Sequence, residues 1–339
     1  MSEHLIRTKK IILHILDSTV GAPVLSQKEI SDYQEAVDFV TNITQKMLDN
    51  DNLKQAFFTD PDNNQIKALC EHFLANAIDF VHLSHSLASL LYAIMCENPT
   101  IPIADMICTI VTIDDLPYLG IYKLNYRSNY IHYVQYEADQ NVNLLVKQHT
   151  VLPGENQKPE EAVLINLDDF SIRILEKEYE LNGEKGYYLS RLYLGCEDQL
   201  STAQKAQIIK KVTDKMLKKH RNDDYDSMMK MRKTVTENMD NSKAVVIDNL
   251  ARELFYDDPG AQREYIEEVK LAGIQDNEVQ LSEKIMERKF RTHKLKTDTG
   301  IEINFPATYY NNREMIEFIN NPNGTISIVI KNIGKIINK

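Results

Sequence analysis

Residues 101–195 carry a succession of short segments rich in β-branched and aromatic residues, and this succession limits the possible folds more than any other feature. The segments are "MICTIVTI", "LGIYKLNY", "YIHYVQY", "VNLLVKQHTVL" and "EAVLINL". Such residues pack well on a pleated surface, and segments of this length are typical of strands. Asn182 and Gly183 form the dipeptide that a tight hairpin turn prefers. The region therefore predicts an antiparallel sheet.

The segments before this region predict one strand and then helices. Residues 5–16 have the composition of a strand, and Ser26 with Glu29 forms a predicted capping box before a helix. Apolar and small residues then recur at alternating steps of four and three: Ile66, Cys70, Phe73, Ala77, Phe80, Ser84, Leu87, Leu91 and Ile94. This spacing predicts one long helix over residues 65–95 with a heptad seam. The seam is typical of a core helix, and a homodimer through the helix at 65–95 is the alternative.

The last part of the chain returns to a helical pattern and then to a β pattern. A second capping box is predicted at Ser201–Gln204, and "GIEINF", "EMIEFI" and "TISIVI" predict a small sheet that ends in a hairpin. We therefore predict an α+β protein in which N-terminal helices accompany an antiparallel sheet and a helical region follows, capped by a small C-terminal β-sheet. The predicted domains are residues 1–198 and 199–339.

Composition excludes several classes of protein. A hydrophobic content of 43% predicts a folded chain rather than a disordered one. No segment approaches the roughly 18 to 20 uninterrupted apolar residues of a spanning helix, so we expect a cytoplasmic protein with no membrane partner. Glycine-rich phosphate loops and C-x-x-C pairs are absent from the sequence, and the H-x-x-H at His82 and His85 lacks a neighbouring glutamate. We therefore predict no cofactor and no metal.

Paired carboxylates leave one enzymatic alternative open. Asp168 and Asp169 precede Glu176 and Glu178, and Lys177 lies between the two glutamates. A metal-dependent nuclease needs carboxylates that converge on a phosphate, together with a cation that stabilises developing charge. Adjacent residues of a strand point to opposite faces, which argues against a preformed clamp. A metal-dependent hydrolase is therefore kept as the alternative to a protein without catalytic activity.

Basic residues are concentrated in two segments of a chain whose formal net charge is −11. The first is a predicted amphipathic helix that presents Lys210, Lys211, Lys215, Lys218 and Arg221 on the side opposite its apolar residues. The second, "KIMERKFRTHKLK" at 284–296, contains Lys289, Arg291, Lys294 and Lys296. Segregated charge can direct a polyanion to one surface of an acidic protein, although lysines of this kind also serve only for solubility.

The order of elements along the whole chain resembles the bacterial nucleoid-associated protein family typified by NdpA and YejK. The resemblance is carried by the opening strand with Ile12, Leu13 and His14, by "GIEINF" near the end, and by the terminal strand and turn at Thr325–Gly334. It implies a cytoplasmic bacterial protein of the nucleoid that associates with DNA, and it carries over no catalytic residue.

We therefore interpret the chain as a non-enzymatic nucleoid-associated protein that contacts DNA through a localised basic surface, without sequence specificity and with low affinity. The predicted nucleic-acid-binding residues are Lys210, Lys211, Lys215, Lys218, Arg221, Lys289, Arg291, Lys294 and Lys296. About five neutralised phosphates would give a slope of log K against log salt of about −4 to −5. A second nucleoid protein is a further partner to test, and a protein-interaction scaffold is the third alternative.

Overall fold

Most of the strands predicted in the first half of the chain join in one antiparallel sheet. The computed structural model describes residues 4–31, 33–137, 140–154, 157–221, 234–236, 244–306, 309 and 312–335. The chain forms two compact units, Met1–Gln199 and Leu200–Lys339, and each is described by itself.

The main sheet of the first unit is antiparallel throughout. Its strands do not lie side by side in the order in which they occur along the chain. Its strands are β1 (Ile6–Leu16), β2 (Lys54–Phe58), β3 (Ala104–Ile113), β4 (Leu116–Asn125), β7 (Glu161–Asn166), β8 (Ile172–Leu175) and β11 (Cys196–Asp198). Among the described residues the order across the sheet is β1-β3-β4-β7-β8-β2-β11. Two further strand pairs of the first unit lie outside this sheet.

Helices cover both faces of the sheet. They are α1 (Gln34–Leu48), α2 (Gln65–Leu74) and α3 (Phe80–Glu97). Met106 and Cys108 of β3 belong to the core beneath α2 and α3, whereas Ile107 and Val111 belong to the core beneath α1. A strand that is buried on both faces reads as a nearly continuous apolar run, which explains "MICTIVTI".

The single long helix predicted over residues 65–95 is wrong, because the chain leaves the helix after Leu74 and starts α3 at Phe80. Asn76 has a φ of 56°, and the Asp79 carboxylate caps α3 by accepting a hydrogen bond from His82 N at 2.8 Å. Ile66, Leu87 and Leu91 of the predicted seam are fully buried in the core of the first unit. The seam is therefore occupied by the chain itself, which removes the basis for a homodimer through this helix.

Two other local predictions have different outcomes. Asn182 and Gly183 adopt φ values of 51° and 87° between β9 (Tyr179–Leu181) and β10 (Glu184–Gly186), so the hairpin is confirmed. The capping box at Ser26 is wrong. The Ser26 hydroxyl donates to the Leu13 carbonyl oxygen, and Glu29 pairs with Lys10, because both residues serve contacts with β1 rather than a helix.

A long ribbon leaves the main sheet between β4 and β7. It consists of β5 (Arg127–Glu137) and β6 (Gln140–Val151), which pair with each other in a separate two-stranded sheet. After β10, the chain forms a π-helical turn at Leu189–Leu194 that leads into β11. The sequence had assigned the residues of this turn to the antiparallel sheet.

The second unit is built on helices. They are α4 (Thr202–Arg221), α5 (Ile247–Leu254), α6 (Pro259–Leu271) and the short α7 (Glu283–Met286). The predicted capping box is confirmed: Ser201 N donates to the Gln204 side chain at 2.9 Å, and Gln204 N donates to the Ser201 hydroxyl at 3.2 Å. No described helix of either unit is long and apolar enough to span a bilayer.

Short strand pairs complete the second unit. The pairs are β12 (Val245–Val246) with β13 (Glu278–Val279), β14 (Thr292–Lys296) with β15 (Glu302–Pro306), and β16 (Ile316–Asn320) with β17 (Ile326–Ile330). The predicted terminal hairpin is therefore present, but "GIEINF" pairs with β14 rather than with that hairpin. The rings of Phe305 and Phe318, 6.4 Å apart, connect the two C-terminal pairs. The predicted α+β class is confirmed.

Candidate nucleic-acid interface

Helix α4 places its basic residues on the solvent side because its other side is committed to the core. Ala206, Ile209, Met216 and Leu217 are fully buried against α5 and α6. At about 100° per residue, Lys211 and Lys218 lie on the opposite side, and Lys210 lies at the border, about 20° from the buried Leu217. Lys211, Lys215, Lys218 and Lys219 are exposed, whereas Lys210 is half-buried. The structure thus groups most of the predicted residues of α4 in one stripe, with their ammonium groups towards water.

Carboxylates of α6 neutralise one edge of this stripe. Lys215 Nζ lies 2.7 Å from Glu268 Oε2, and Lys219 pairs with Glu264 in the same way one turn further along. The Lys219 hydrogen bond is the main cause that lowers the pKa of Glu264, so this carboxylate stays ionised at neutral pH. His220 Nε2 is also 3.0 Å from Glu264, and its ring packs edge-on against Phe255.

The other edge of the stripe has a different electrostatic environment. Within the described part of the chain, Lys210 and Lys211 have no carboxylate oxygen within 4.0 Å. Arg221 ends α4, but its side chain lies outside the described residues. Lys210 and Lys211 are therefore the best-defined available cations of α4.

The second predicted group is divided between two elements. Lys289 and Arg291 lie on a π-helical turn at Glu287–Arg291, and Lys294 and Lys296 lie on β14. Arg291 Nη1 is 2.7 Å from Glu283 and 2.9 Å from Glu287, and Lys296 is 3.4 Å from Glu302 on the paired strand. Lys294 is exposed and lies opposite Asn304 in that strand pair. Arg291 and Lys296 thus have acidic neighbours of their own, whereas Lys294 faces a neutral residue.

The carboxylates of the enzymatic alternative are not gathered at one site. Asp169 accepts hydrogen bonds from the backbone and hydroxyl of Ser171 at 2.9 and 2.6 Å, which closes a turn. Glu176 is buried with Lys54, and Lys177 pairs with Glu160. In the parts of the chain that the structure describes, no group of three or more His, Cys, Asp or Glu side chains could hold a metal ion. His82 binds Asp79, and His85 binds the Ser26 carbonyl oxygen.

Two buried lysines were missed by the sequence reasoning. Lys54 is 2.9 Å from Glu176, pairs with Asp198, and lies 4.0 Å from the centre of the Tyr187 ring. Burial lowers the pKa of Lys54, but the hydrogen bonds that Lys54 donates to Asp198 and Glu176 outweigh burial and raise this pKa above its usual value. Because the lysine is paired and enclosed, we assign it to the stability of β2, β8 and β11.

The second buried lysine lies at the base of the ribbon. Lys123 Nζ is 3.3 Å from Glu161 Oε2, which also accepts hydrogen bonds from Asn125 at 2.6 Å and Tyr179 at 3.0 Å. Glu161 Oε1 accepts a further hydrogen bond from the Tyr188 hydroxyl at 2.5 Å. Burial lowers the pKa of Lys123 in spite of Glu161. The network anchors β4, β7 and β9 where the ribbon begins.

The acidic edge of α6 had a signal in the sequence that was not used. Glu264 and Glu268 are one turn apart and therefore share one side of a helix. Their partners Lys215 and Lys219 have the same spacing on α4, so an antiparallel helix pair would align them. The separation of about fifty residues along the chain hid this match from local analysis.

Comparison with known proteins identifies the family. A family model described as nucleoid-associated protein YejK matches residues 12–338. The match covers nearly the whole chain, so the family resemblance predicted from the opening and closing strands is confirmed. A comparison with curated proteins found no match.

Proposed function

Because this chain belongs to the nucleoid-associated protein YejK family, we propose that it acts at the bacterial nucleoid by binding DNA through the outer side of α4. The observation that carries this proposal is the pair Lys210 and Lys211, two cations without a described carboxylate partner beside an edge that α6 neutralises. Lys218 and Arg221 extend the same side of the helix. Lysine and arginine side chains bind phosphates of any sequence, so the contact reads no bases.

The ion pairs between α4 and α6 lower the salt dependence that we expect for DNA binding. Lys215 is already paired with Glu268, so it should release fewer counterions on binding DNA than Lys210 and Lys211. Lys210 and Lys211 together correspond to a slope of about −1.8 for log K against log salt, and the slope of the whole contact should be shallower than the −4 to −5 of five independent cations. The net charge of −11 opposes general coating of DNA and favours a localised contact of low affinity. Lys289, Arg291, Lys294 and Lys296 form the proposed secondary contact, of which Lys294 is the most available cation.

The test is a salt titration of binding to a duplex of random sequence. Replacing Lys210 and Lys211 by glutamine is expected to make the slope shallower by about 2, because each lost phosphate contact removes about 0.9. Lys215→Gln is the matched control on the same helix, and its slope should change less because Glu268 already neutralises Lys215. A slope near zero for the unmodified protein, or equal effects of the two variants, would contradict the proposed surface.

We further propose that the protein is not an enzyme. In support, Asp169 closes a local turn and Glu176 pairs with a buried lysine, so neither carboxylate is arranged to hold a metal at a phosphate. Supercoiled plasmid incubated with the protein and Mg²⁺ or Mn²⁺ should stay intact. Nicking that disappears in Asp169→Ala would establish the nuclease alternative instead.

We also propose a second nucleoid protein as a partner in the same complex. The acidic stretch 137–184, with eleven acidic and four basic residues, would suit a basic protein that itself binds DNA. Co-purification that survives nuclease treatment is the expected result. Loss of every companion protein after nuclease treatment would restrict the proposal to DNA.

A further inference from the structure

A cavity of about 420 Å³ lies in the first unit, between the end of β2, the start of α2 and the π-helical turn at Leu189–Leu194. The polar side chains that line it include Thr59, Asp60, Asn63 and Arg191. Its volume falls within the range of about 300 to 1,000 Å³ that is typical of sites for small organic ligands. Among the described residues, those that line the cavity include no aromatic and no large aliphatic side chain. A ligand that fills this cavity must therefore be polar over most of its surface.

Hydrogen bonds fix the wall of this cavity. The side-chain amide of Asn64 donates to the Leu194 carbonyl oxygen at 2.7 Å. Thr59 N donates to the Gly195 carbonyl oxygen at 3.0 Å. Gly195 has a φ of 58°, and a Cβ atom there would lie 3.1 Å from Asn64 Nδ2, so glycine is favoured at this position. A cavity whose wall is fixed before a ligand arrives loses little entropy on binding.

Arg191 brings a cation to this cavity. No carboxylate oxygen of a described residue lies within 4.0 Å of its guanidinium group, although Asp60 lines the same cavity. Arg191 lies on a π-helical turn, a rare form of helix that is frequently found at functional sites. The turn is anchored in the core, because Ser190 N donates to the buried Glu176 carboxylate at 3.0 Å. Arg191 is therefore an exposed cation on a fixed support.

The opposite charges of the cavity are held apart. Instead of pairing with Arg191, the Asp60 carboxylate accepts a hydrogen bond from the Asn63 amide at 2.9 Å. Opposite charges that line one cavity without touching can bind different parts of one ligand. A guanidinium group binds phosphate through two parallel hydrogen bonds, whereas a carboxylate repels phosphate and accepts hydrogen bonds from hydroxyl groups. The pair of Arg191 and Asp60 therefore suits a ligand with a phosphate at one end and hydroxyl groups at the other.

We propose that this cavity binds a phosphorylated sugar, with the phosphate at Arg191 and the sugar hydroxyl groups at Asp60 and Asn63. A free sugar phosphate and the 5′-phosphorylated end of a DNA strand share this chemistry. Recognition of a base usually relies on stacking against an aromatic side chain, and the described lining has none. The sugar and its phosphate are therefore the recognised groups, whichever source supplies them.

The lining favours binding without covalent reaction. Cys196 lines the cavity, but burial raises the pKa of its thiol to about 12. The thiol therefore stays protonated at neutral pH, and the thiolate is the form that acts as a nucleophile. The proposed site lies in the first unit and does not rest on the DNA contact proposed for α4.

The experiment is isothermal titration calorimetry of the full chain with ribose 5-phosphate, from about 10 μM to about 10 mM. Saturable binding is expected. Ribose alone and inorganic phosphate alone should each bind at least about tenfold more weakly, because each lacks one of the two contacts. Arg191→Gln should weaken binding of ribose 5-phosphate at least about tenfold. Lys185→Gln removes the same charge from β10, outside the cavity lining, and is the matched control that should bind like the unmodified protein.

Asp60→Asn separates the two ends of the ligand. This change removes the charge that repels phosphate, so inorganic phosphate should bind more tightly than it does to the unmodified protein. The preference for ribose 5-phosphate over phosphate should fall, because a neutral amide accepts hydrogen bonds from hydroxyl groups less strongly than a carboxylate does. An unchanged preference would contradict the role given to Asp60. Circular dichroism of all three variants checks that the fold is kept.

A competition measurement distinguishes the two sources of the phosphorylated sugar. Single-stranded oligonucleotides of one sequence, with and without a 5′-phosphate, are added to protein saturated with ribose 5-phosphate. Displacement by the phosphorylated strand alone assigns the site to a DNA end, and no displacement by either strand assigns it to a free sugar phosphate. Displacement by both strands alike would mean that the terminal phosphate is not recognised, which contradicts the proposal.

Two further outcomes bear on the proposal as a whole. Absence of saturable binding of ribose 5-phosphate overturns it, as does equal binding by the unmodified protein and Arg191→Gln. Lys210→Gln with Lys211→Gln should leave binding of ribose 5-phosphate unchanged. Failure of the cavity site and failure of the DNA contact on α4 are therefore measured separately.

Discussion

Two lysines of the first unit and two of the second are used in opposite ways. In the first unit, Lys54 and Lys123 are 6% and 3% exposed, and each is enclosed with a carboxylate. In the second unit, the side chains of Lys215 and Lys219 are 60% and 55% exposed although each also has a carboxylate partner. Both arrangements are ion pairs by distance, but they differ in what happens when the partner is exchanged.

The difference comes from hydration. A buried lysine that loses its carboxylate keeps a charge that water cannot reach, so its pair is effectively permanent. An exposed pair is worth about 0 to 1 kcal/mol and can open at little cost. A phosphate can therefore replace Glu268 beside Lys215, whereas no polyanion can reach Lys123. Lys215 and Lys219 are therefore accessible to a polyanion, whereas Lys54 and Lys123 are not.

The largest expected effect separates these two kinds of pair. Glu161→Gln leaves the Lys123 charge buried without its counter-charge, so we expect the first unit to lose about 3 to 5 kcal/mol of unfolding free energy. Adding Lys123→Met to this variant should recover part of the loss because the unpaired charge is then removed. Urea unfolding followed by circular dichroism measures both. A loss below about 1 kcal/mol for Glu161→Gln would show that the buried pair behaves like an exposed one, and would break the comparison.

The core of the first unit also disfavours the protonated, cationic form of a buried histidine. His14 is fully buried. Its Nδ1 accepts a hydrogen bond from Ser26 N at 3.1 Å, and its Nε2 lies 3.0 Å from the Ser84 hydroxyl, so the neutral ring suits the site. Burial, assisted by the neighbouring His85, lowers the pKa of His14 from 6.5 to about 4.

The sign of the pH effect follows from this shift. Between the two pKa values the unfolded chain binds a proton that folded His14 does not, so stability falls as the pH drops from 6.5 to about 4. We expect the contribution to be on the order of 3 kcal/mol, fully present above pH 6.5. Unfolding midpoints measured across this window should show the slope, and His14→Gln should flatten it. His132→Gln, on the exposed ribbon, is the control and should leave the slope unchanged.

Local signals in the sequence predicted the fold better than they predicted the site. The Asn182-Gly183 turn and the Ser201–Gln204 capping box depend on neighbouring residues alone, and both are confirmed. Ser26 carried an equally good local signal but is used in a tertiary contact with β1, which no short window contains. The prediction of one helix over residues 65–95 was wrong because the heptad spacing of apolar residues continues across the break between α2 and α3. Asp79, which caps α3, marks the end of this break.

The site shows the same limit. Amphipathic spacing located the solvent side of α4 correctly, since that face depends only on helix geometry. The carboxylates that divide this side into a neutralised and an available edge come from α6, about fifty residues away. The ribbon strands were each predicted as strands, but their pairing outside the main sheet depends on where β4 and β7 meet, so the separate ribbon could not be foreseen.

The smallest expected effect sharpens the comparison within the second unit. Glu268→Gln removes an exposed partner, so we expect stability to change by less than about 1 kcal/mol. The freed Lys215 can then meet a phosphate, which should tighten DNA binding by up to about fivefold and steepen the salt slope by about 0.9. Glu267→Gln changes the net charge equally, but Glu267 is exposed and has no ion pair with a described residue. Titrations of both variants at two salt concentrations separate release of Lys215 from a general change of charge. Equal gains in the two variants would mean that the stripe of α4 responds only to net charge, and that the pairing seen across α4 and α6 does not decide which lysines reach DNA.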